Sequence, residues 1–552
     1  MQALNLKTYE ELSPFEVKDE LIRLARCNAK KAAHAFLNAG RGNPNWIATE
    51  PRNAFFLLGH FGIAESERIL RKLGIGGMPA QQGIAERLLG WLDAHSDLPG
   101  TAFVRRMLPY VEEAFGFEAD AFVHELIDAI IGDNYPVPDR MLFHAERVVR
   151  RYLDWAMCGA RPPAGAFDLF AVEGGTAAIC YVFKSLTANR ILKRGDTIAI
   201  ATPIFTPYLE IAALEDYALD CVYLDAAQEN GFQFTDSEIR KLEDPKVKAF
   251  FLVNPGNPTS VALSPETNAK LVRLVHEKRP NLIVLTDDVY GTFVKGFRSL
   301  MAELPHNTIG VYSYSKYFGC TGWRLGVIAL HENNVLDEMV ARLPEDDKRA
   351  LDKRYGSLTL EPRKLRMIDR LVADSRDVAL NHTAGLSLPQ QAMMILMSIC
   401  ELTDTAKDYQ ARCMDLLARR VDACVKGLDI DAPRDAYFAS YYGEIDFEFW
   451  LKKYLGDDMV DWMKRHIHPL DIVFRLAEDY GIVVLNGSGF KGPDWSCRVS
   501  FANLNGEVYD DIGHALRSVA HGYVQAYRAS HAMPHARIGD VRDPAMPEPV
   551  GA

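Results

Sequence analysis

A lysine between two apolar strands either snorkels to water or is held for chemistry. Lys316 stands in such a place, with Gly310-Val-Tyr312 before it and Gly326-Val-Ile-Ala329 after it. Its own string is Ser313-Tyr-Ser315-Lys316, and Arg324-Leu-Gly326 follows eight residues on. A hydroxyl just before a lysine and a guanidinium soon after it suit a dianionic phosphate beside the amine, because arginine can grip phosphate with two parallel hydrogen bonds. A lysine held in this way can condense with a carbonyl to form a Schiff base.

Three further segments sit where an α/β sheet places ligands, just beyond strand C-terminal ends. Glu173-Gly174-Gly175-Thr176 follows Leu169–Val172 and leads into a helical pattern. Its glycines let backbone N–H groups approach an anion at a helix N-terminus, and Thr176 adds a hydroxyl. A tight strand-to-helix turn needs glycine in any case. Asn254-Pro-Gly-Asn257-Pro258-Thr259 follows the apolar run ending at Val253, and alone it reads as a proline-rich turn. Thr286-Asp287-Asp288-Val-Tyr290 follows Leu282–Leu285. A carboxylate there can cap the next helix; a buried one can hold a pyridine nitrogen protonated, which makes the ring an electron sink.

At these residues the sequence resembles the aspartate aminotransferase family, the fold-type I pyridoxal-phosphate enzymes, over roughly residues 40–520. Ser-x-Ser-Lys…Gly-Trp-Arg-x-Gly carries the resemblance, with Asn-Pro-Thr and Asp-x-x-Tyr in the expected order. It implies an α/β protein, with a mostly parallel sheet in a large domain and a smaller α+β domain. It implies pyridoxal 5′-phosphate as the cofactor and no metal. By the same resemblance Lys316 is the Schiff-base lysine and the base that moves the substrate Cα proton. Asp287 pairs with the pyridine nitrogen, preferred to Asp288 because only it keeps the Asp-x-x-Tyr spacing. Tyr290 and Asn257 bond the ring 3′-oxygen, and Asn257 also borders the substrate. Gly175, Thr176, Ser313 and Arg324 surround the phosphate, and Phe205, in Pro203-Ile-Phe-Thr, stacks on the ring. Tyr135, in Asn-Tyr-Pro, matches a tyrosine that reaches the phosphate from a neighbouring subunit, so the active unit is at least a dimer. Arg498, in Ser-Cys-Arg-Val-Ser, matches the clamp on the substrate α-carboxylate, assisted by the backbone of Gly42.

The elements that must hold these residues are visible in the hydrophobic pattern. Between about 168 and 330, short apolar runs rich in β-branched residues alternate with helical segments, the texture of strands buried on both faces of a mostly parallel sheet. Helical spacing is present at about 16–40, through most of 60–130, and at 144–157. The charged stretch Asp337–Arg376 reads as exposed helices. Strands are expected again at Tyr437-Phe-Ala-Ser, Gly481–Leu485 and Cys497–Phe501. The expected organisation is therefore an N-terminal segment 1–60 that joins the small domain and active site, then a helical region 61–160. The large cofactor-binding domain follows at 161–385 with an insertion at about 335–380, and the small domain at 386–530 with an insertion at about 443–468. A tail occupies 531–552.

The 552 residues are 48% hydrophobic and 25% charged, ordinary for a globular chain of more than one domain. With 62 basic against 74 acidic residues the formal net charge is −12, which argues against nucleic acid or an anionic membrane as the main partner. Met1–Glu11 shows no secretory pattern, and no stretch approaches the roughly 18 uninterrupted apolar residues of a membrane span. Nine cysteines without a C-x-x-C pair read as reduced thiols in a cytoplasmic protein, where the Asn-x-Ser/Thr patterns at Asn381 and Asn486 are chance. His466-Ile-His468 lacks the partners of a metal site and reads as surface.

Family membership does not fix the reaction. The chain is longer than common aminotransferases, with the excess before Tyr135, around 335–380 and around Gly443–His468. Those insertions, with Asn-Ala-Gly-Arg-Gly-Asn-Pro-Asn-Trp and Asp-Asn-Tyr-Pro-Val-Pro, are similar to the bacterial aspartate 4-decarboxylases. That similarity implies conversion of L-aspartate to L-alanine and CO2, aspartate aminotransferase side activity, and large homo-oligomers built from dimers, up to dodecamers. A plain aspartate or aromatic aminotransferase is the alternative. A pyridoxal-phosphate-dependent transcription regulator is a remote one, since the first 60 residues carry no basic helix-turn-helix pattern. A strong ion pair to the departing β-carboxylate would oppose its loss; Arg41, Lys18 and Arg376 are the candidates for such contact, and each also reads as a surface ion pair.

Overall fold

The structure, a computed structural model, describes residues 6–10, 12–32, 36–376, 385–431 and 435–532. Asn381 and the tail from residue 533 onward lie outside them. The chain forms two compact units, one of Met1–Arg41, Ala418–Pro433 and Gly443–Ala552, the other of Gly42–Leu417 and Arg434–Tyr442. Residues 42–60 and 386–417 thus join the larger unit, on the far side of the boundaries expected near 60 and 386. The helix Leu388–Thr403 supplies the reason: Ala392–Ile399 is buried on every side. A helix apolar all round needs a complete jacket. It receives one from Thr49–Ile69, Ala119–Ile131 and Phe143–Ala156.

Among the described residues of the larger unit, seven strands form one sheet. In chain order they are β1 (Phe167–Val172), β2 (Thr197–Thr202), β3 (Asp220–Asp225), β4 (Val247–Val253), β5 (Ile283–Asp287), β6 (Thr308–Ser313) and β7 (Gly326–His331). Their spatial order is β1-β7-β6-β5-β4-β2-β3. The five from β6 to β3 run parallel, and β7 is antiparallel to both β6 and β1. Every residue of β5, β6 and β7 is buried, as the continuous apolar runs require. The two faces are still sorted with period two. Ile198, Ile200, Phe251, Ile283 and Leu285 enter one core, whereas Ala199, Phe250, Leu252 and Val284 enter the other.

Two regions depart from the expectation. Tyr437–Ser440 is no strand: Phe438 makes one isolated bridge to Val261, Ser440 takes a left-handed φ of 57°, and the strand begins at Tyr442. The charged insertion holds helices Val335–Ala341, Glu345–Tyr355 and Met367–Ser375. The last of these is buried rather than exposed, because Met367, Ile368, Leu371 and Val372 form an apolar stripe that packs on the helix Gly175–Ala188.

In the smaller unit the helix Pro14–Ala32 packs on Asp471–Tyr480, and Leu37–Asn38 pairs in parallel with Ile482–Val483. Leu485–Asn486, Ser496–Ser500 and Tyr442–Asp446 form a three-stranded sheet. No helix among the described residues is long and apolar enough to cross a membrane.

Candidate active site

Parallel strands end together, so their following turns form one rim. After β1 the chain turns through Gly174, at φ +92°, into the helix Gly175–Ala188. A Cβ on Gly174 would stand 2.5 Å from Arg324 Nη2, so only glycine admits the guanidinium here. Arg324 itself has φ +55° and donates from Nη1 to Thr321 O at 3.2 Å, which aims the side chain back over the turn. A Cβ on Gly175 would lie 3.5 Å from Asp287 Oδ2. The helix N-terminus, Arg324 and Asp287 therefore converge on a few ångströms of backbone.

Asp287 ends β5 and is buried. It accepts from Tyr208 OH at 2.6 Å and from Val289 N–H at 3.2 Å. Burial pushes its carboxyl above the usual range, against the opposing pull of Tyr208, the Val289 amide and Lys316. Its neighbour Asp288 points into the protein, where Thr286 Oγ1 donates to it at 2.6 Å and Ser299 Oγ also donates. Burial raises Asp288 to about 7. Tyr290, also buried, donates to Tyr442 OH at 3.1 Å.

Lys316 follows β6 and is half-buried, with Nζ donating to Gly42 O at 3.0 Å. Tyr441 OH donates to the same carbonyl at 2.9 Å. A Cβ on Gly42 would meet Tyr442 Oη at 2.9 Å and Lys316 Nζ at 3.2 Å, so this glycine leaves room between a hydroxyl and the amine. The backbone just after Lys316 is held from several sides. Tyr317 O accepts from Trp46 Nε1 at 3.1 Å and from Tyr409 OH at 2.8 Å, and Tyr317 OH donates to Glu401 at 2.9 Å. Arg52 donates to the carbonyls of Phe318 (3.1 Å) and Gly319 (2.8 Å). Ser313 Oγ lies 2.9 Å from Ser315 Oγ and 3.0 Å from Leu325 O.

Asn257 is buried in the turn after β4. That turn is tied to the segment before Tyr442 by Ala439 N–H to Ser260 O (2.7 Å) and Tyr442 N–H to Ser260 Oγ (2.7 Å). Phe205 caps the helix Thr206–Ala213 and packs edge-on to Tyr208, centroids 5.2 Å apart. Thr176 is exposed in the first turn of Gly175–Ala188. Tyr135 is 69% exposed in the loop after Ala119–Ile131. Arg498 belongs to the smaller unit, on the strand Ser496–Ser500. It is 1% exposed and donates to Gly40 O at 2.8 Å, with its guanidinium 5.1 Å from the Phe490 ring centroid.

Of the cations considered for the β-carboxylate, Arg41 is exposed, Lys18 lies 5.7 Å from the Phe15 ring centroid, and Arg376 pairs with Glu173 at 3.4 Å. His466 and His468 face different partners, Trp462 O and Glu10. The sequence reading missed Tyr208, Tyr441, Tyr442, Trp46 and Glu401. Tyr208 had a signal, since it stands one helical turn after Phe205. Trp46 closes the Asn-Ala-Gly-Arg-Gly-Asn-Pro-Asn-Trp string, whereas Tyr441, Tyr442 and Glu401 are far from Lys316 in sequence and nothing local marks them.

The protein-family description "aminotransferase class I and II" matches residues 172–516. The bifunctional aspartate aminotransferase and L-aspartate beta-decarboxylase of Pseudomonas sp is 47% identical over 525 residues, 95% of this chain and 98% of that one. The aspartate aminotransferase of Sulfolobus acidocaldarius is 31% identical over 143 residues, 25% of this chain and 35% of its own. Among solved structures, a double mutant of Thermus thermophilus aspartate aminotransferase aligns with TM-score 0.57 at 15% identity, covering 94% of this chain and all of that one. The Rhizobium meliloti enzyme aligns with TM-score 0.56 at 17% identity, covering 95% and 99%. The chain belongs to the class I and II aminotransferase family, with its mostly parallel α/β fold. It is an enzyme of the pyridoxal-phosphate type.

The residues present fit that cofactor. A phosphate wants an arginine at a helix N-terminus with glycine backbone beside it, which Arg324, Gly174 and Gly175 supply. A protonated pyridine nitrogen wants a buried carboxylate beside it, and burial pushes the Asp287 carboxyl up, which makes its carboxylate a stronger base toward such a group. The aldehyde wants an amine, and Lys316 Nζ stands on the same rim.

Proposed function

We propose that this enzyme converts L-aspartate to L-alanine and CO2, with transamination of aspartate as its second activity. The observation that carries this is the 47% identity, over 525 residues and 95% of this chain, to a relative named for both activities. The bound cofactor supplies an electron sink for the carbanion left when a proton or CO2 departs from the amino acid. Atoms balance simply: the β-carboxyl leaves as CO2 and Cβ takes one proton.

The chain's own groups divide the work. Lys316 holds the cofactor and, once displaced by the substrate amine, carries the Cα proton. Asp287 keeps the ring nitrogen protonated, and Tyr208 keeps Asp287 oriented. Tyr290 and Asn257 bond the ring oxygen, Phe205 covers the ring face, and Gly175, Thr176, Ser313 and Arg324 bind the phosphate. Tyr135 completes that phosphate site in a neighbouring subunit, and its exposure supports such a role. Arg498 takes the substrate α-carboxylate, with the backbone of Gly42 and Asn257 bordering the substrate.

Decarboxylation and transamination part where water is admitted. The rings of Tyr290, Tyr441 and Tyr442 lie 5.0–5.4 Å apart in pairs around the Gly42 carbonyl, and Trp46 lies 6.1 Å from Tyr441. An aromatic wall beside the lysine excludes water and supports loss of CO2 over hydrolysis. The enzyme works in the cytoplasm as a homo-oligomer, at least a dimer and in larger assemblies of dimers up to a dodecamer.

The test is to incubate the protein and pyridoxal phosphate with L-aspartate alone and to follow CO2 and alanine. Sustained equimolar release without an added 2-oxo acid is the expected result. Oxaloacetate and glutamate formed only on adding 2-oxoglutarate, with no CO2, would leave a plain aminotransferase.

A further inference from the structure

The helix Gly175–Ala188 carries the phosphate turn at its N-terminus, and the insertion grips it at both ends. At the C-terminal end Asp374, 1% exposed, accepts from Ser185 Oγ (2.6 Å), Asn189 Nδ2 (3.0 Å), Tyr355 OH (2.9 Å) and Arg354 Nε (2.9 Å). Arg370, 2% exposed, donates to Asn189 Oδ1 (3.1 Å) and to the carbonyls of Leu365 (3.0 Å) and Pro362 (2.9 Å). Its guanidinium lies 4.8 Å from the Tyr355 ring centroid. At the N-terminal end Arg376 pairs with Glu173, the residue before Gly174, and Tyr181 OH donates to the same carboxylate at 3.0 Å. Between the two grips, Met367, Ile368, Leu371 and Val372 share a core with Ile179, Val182, Phe183 and Leu186.

A surface elaboration has no cause to bury a carboxylate and a guanidinium, each of which is costly to dehydrate unless fully bonded. Here Asp374 accepts from four side chains and Arg370 donates three hydrogen bonds, and the network ends on the helix that aims the phosphate turn. A helix is stiff along its axis, so a displacement at Ser185 or Asn189 is a displacement at Gly175. We propose that Asp374 is a positioning residue for the cofactor phosphate: through Ser185 and Asn189 it fixes where the helix N-terminus stands relative to Arg324. The insertion thereby sets cofactor affinity without touching the cofactor. The inference rests on the reading that pyridoxal phosphate occupies this rim.

The experiment is a titration of cofactor-stripped, full-length wild-type, D374N, D374E, Y355F and R363Q proteins with pyridoxal phosphate. Binding is read from the visible absorbance band, with kcat and KM for L-aspartate measured at saturating cofactor. D374N raises the Kd for pyridoxal phosphate roughly tenfold or more, the scale of losses from outer-shell partners elsewhere. D374E recovers part of the loss, Y355F gives a smaller rise, and R363Q on the exposed face of the insertion gives none. KM for L-aspartate stays at the wild-type value throughout. A folded D374N with unchanged cofactor affinity overturns the proposal, and so does a merely lowered melting temperature with unchanged affinity. Should D374N fail to fold, Y355F decides, and unchanged affinity there overturns it. Failure of the functional reading looks different: no CO2 from aspartate with cofactor titrations intact leaves this inference standing, whereas a wild-type protein that binds no pyridoxal phosphate removes both.

Discussion

The rim of the large sheet and the insertion Val335–Arg376 both bury carboxylates, yet they treat them in opposite ways. Asp374 has its oxygens filled by four side chains of the same unit, so it is finished within the protein. Asp287 has one hydroxyl and one amide, and burial outweighs them together with Lys316. The first arrangement makes a brace; the second leaves an acid that still wants a base. Burial alone therefore does not mark a functional carboxylate. The donor set around it does, because a charge whose partners are complete has no free energy left to exchange with a ligand.

That contrast can be broken or sharpened by substitution. The largest effect belongs to Lys316→Ala, which should lower turnover of L-aspartate by about four orders of magnitude or more; an absorbance titration should also show no visible band on adding pyridoxal phosphate. Asp287→Asn should lower kcat by roughly 10²- to 10³-fold, while Asp288→Asn leaves kcat near wild type. Equal losses in steady-state assays of the two variants would erase the distinction drawn between these neighbours. Tyr290→Phe should cost about tenfold in kcat/KM, the scale of one hydrogen bond to a charged group.

Asp288 offers a pH test. Its carboxyl rises from 3.8 to about 7 on folding, chiefly through burial, so the folded state holds a proton that the unfolded chain has released between those values. Stability should fall as pH rises through that window, by on the order of a few kcal/mol, and level off above it. Asp288→Asn should flatten that slope in urea midpoints measured from pH 4 to 8. The smallest effect is expected at Arg363, whose pairs with Glu345 and Asp352 are half exposed. Arg363→Gln should leave the urea midpoint at the wild-type value.

The chemistry of the rim was legible because each part of it is local. A glycine pair after β1, Asp287 at the end of β5 and Lys316 after β6 sit at strand ends, and a parallel sheet brings strand ends together whatever the loops do. The alternation of buried runs likewise announced the sheet, because both of its faces are covered. Tyr441 and Tyr442 were invisible to that logic. They reach the Gly42 carbonyl and Tyr290 only because the turn after β4 bonds to residues 437–442, nearly two hundred positions away.

The insertion shows the same limit from the other side. Its charge density predicts solvated helices, and for Glu345–Tyr355 that is largely the outcome. Met367–Ser375 is equally charged in places but buried, because Arg370 and Asp374 find their partners on Gly175–Ala188 and the loops around it. Hydrophobic period and turn residues are properties of neighbours along the chain, so the sequence alone determined the sheet, its rim and the residue types there. Whether a buried charge is satisfied depends on groups that only the fold brings within hydrogen-bond reach, and so the tertiary structure alone decided that four side chains fill the oxygens of Asp374 while one hydroxyl and one amide meet Asp287.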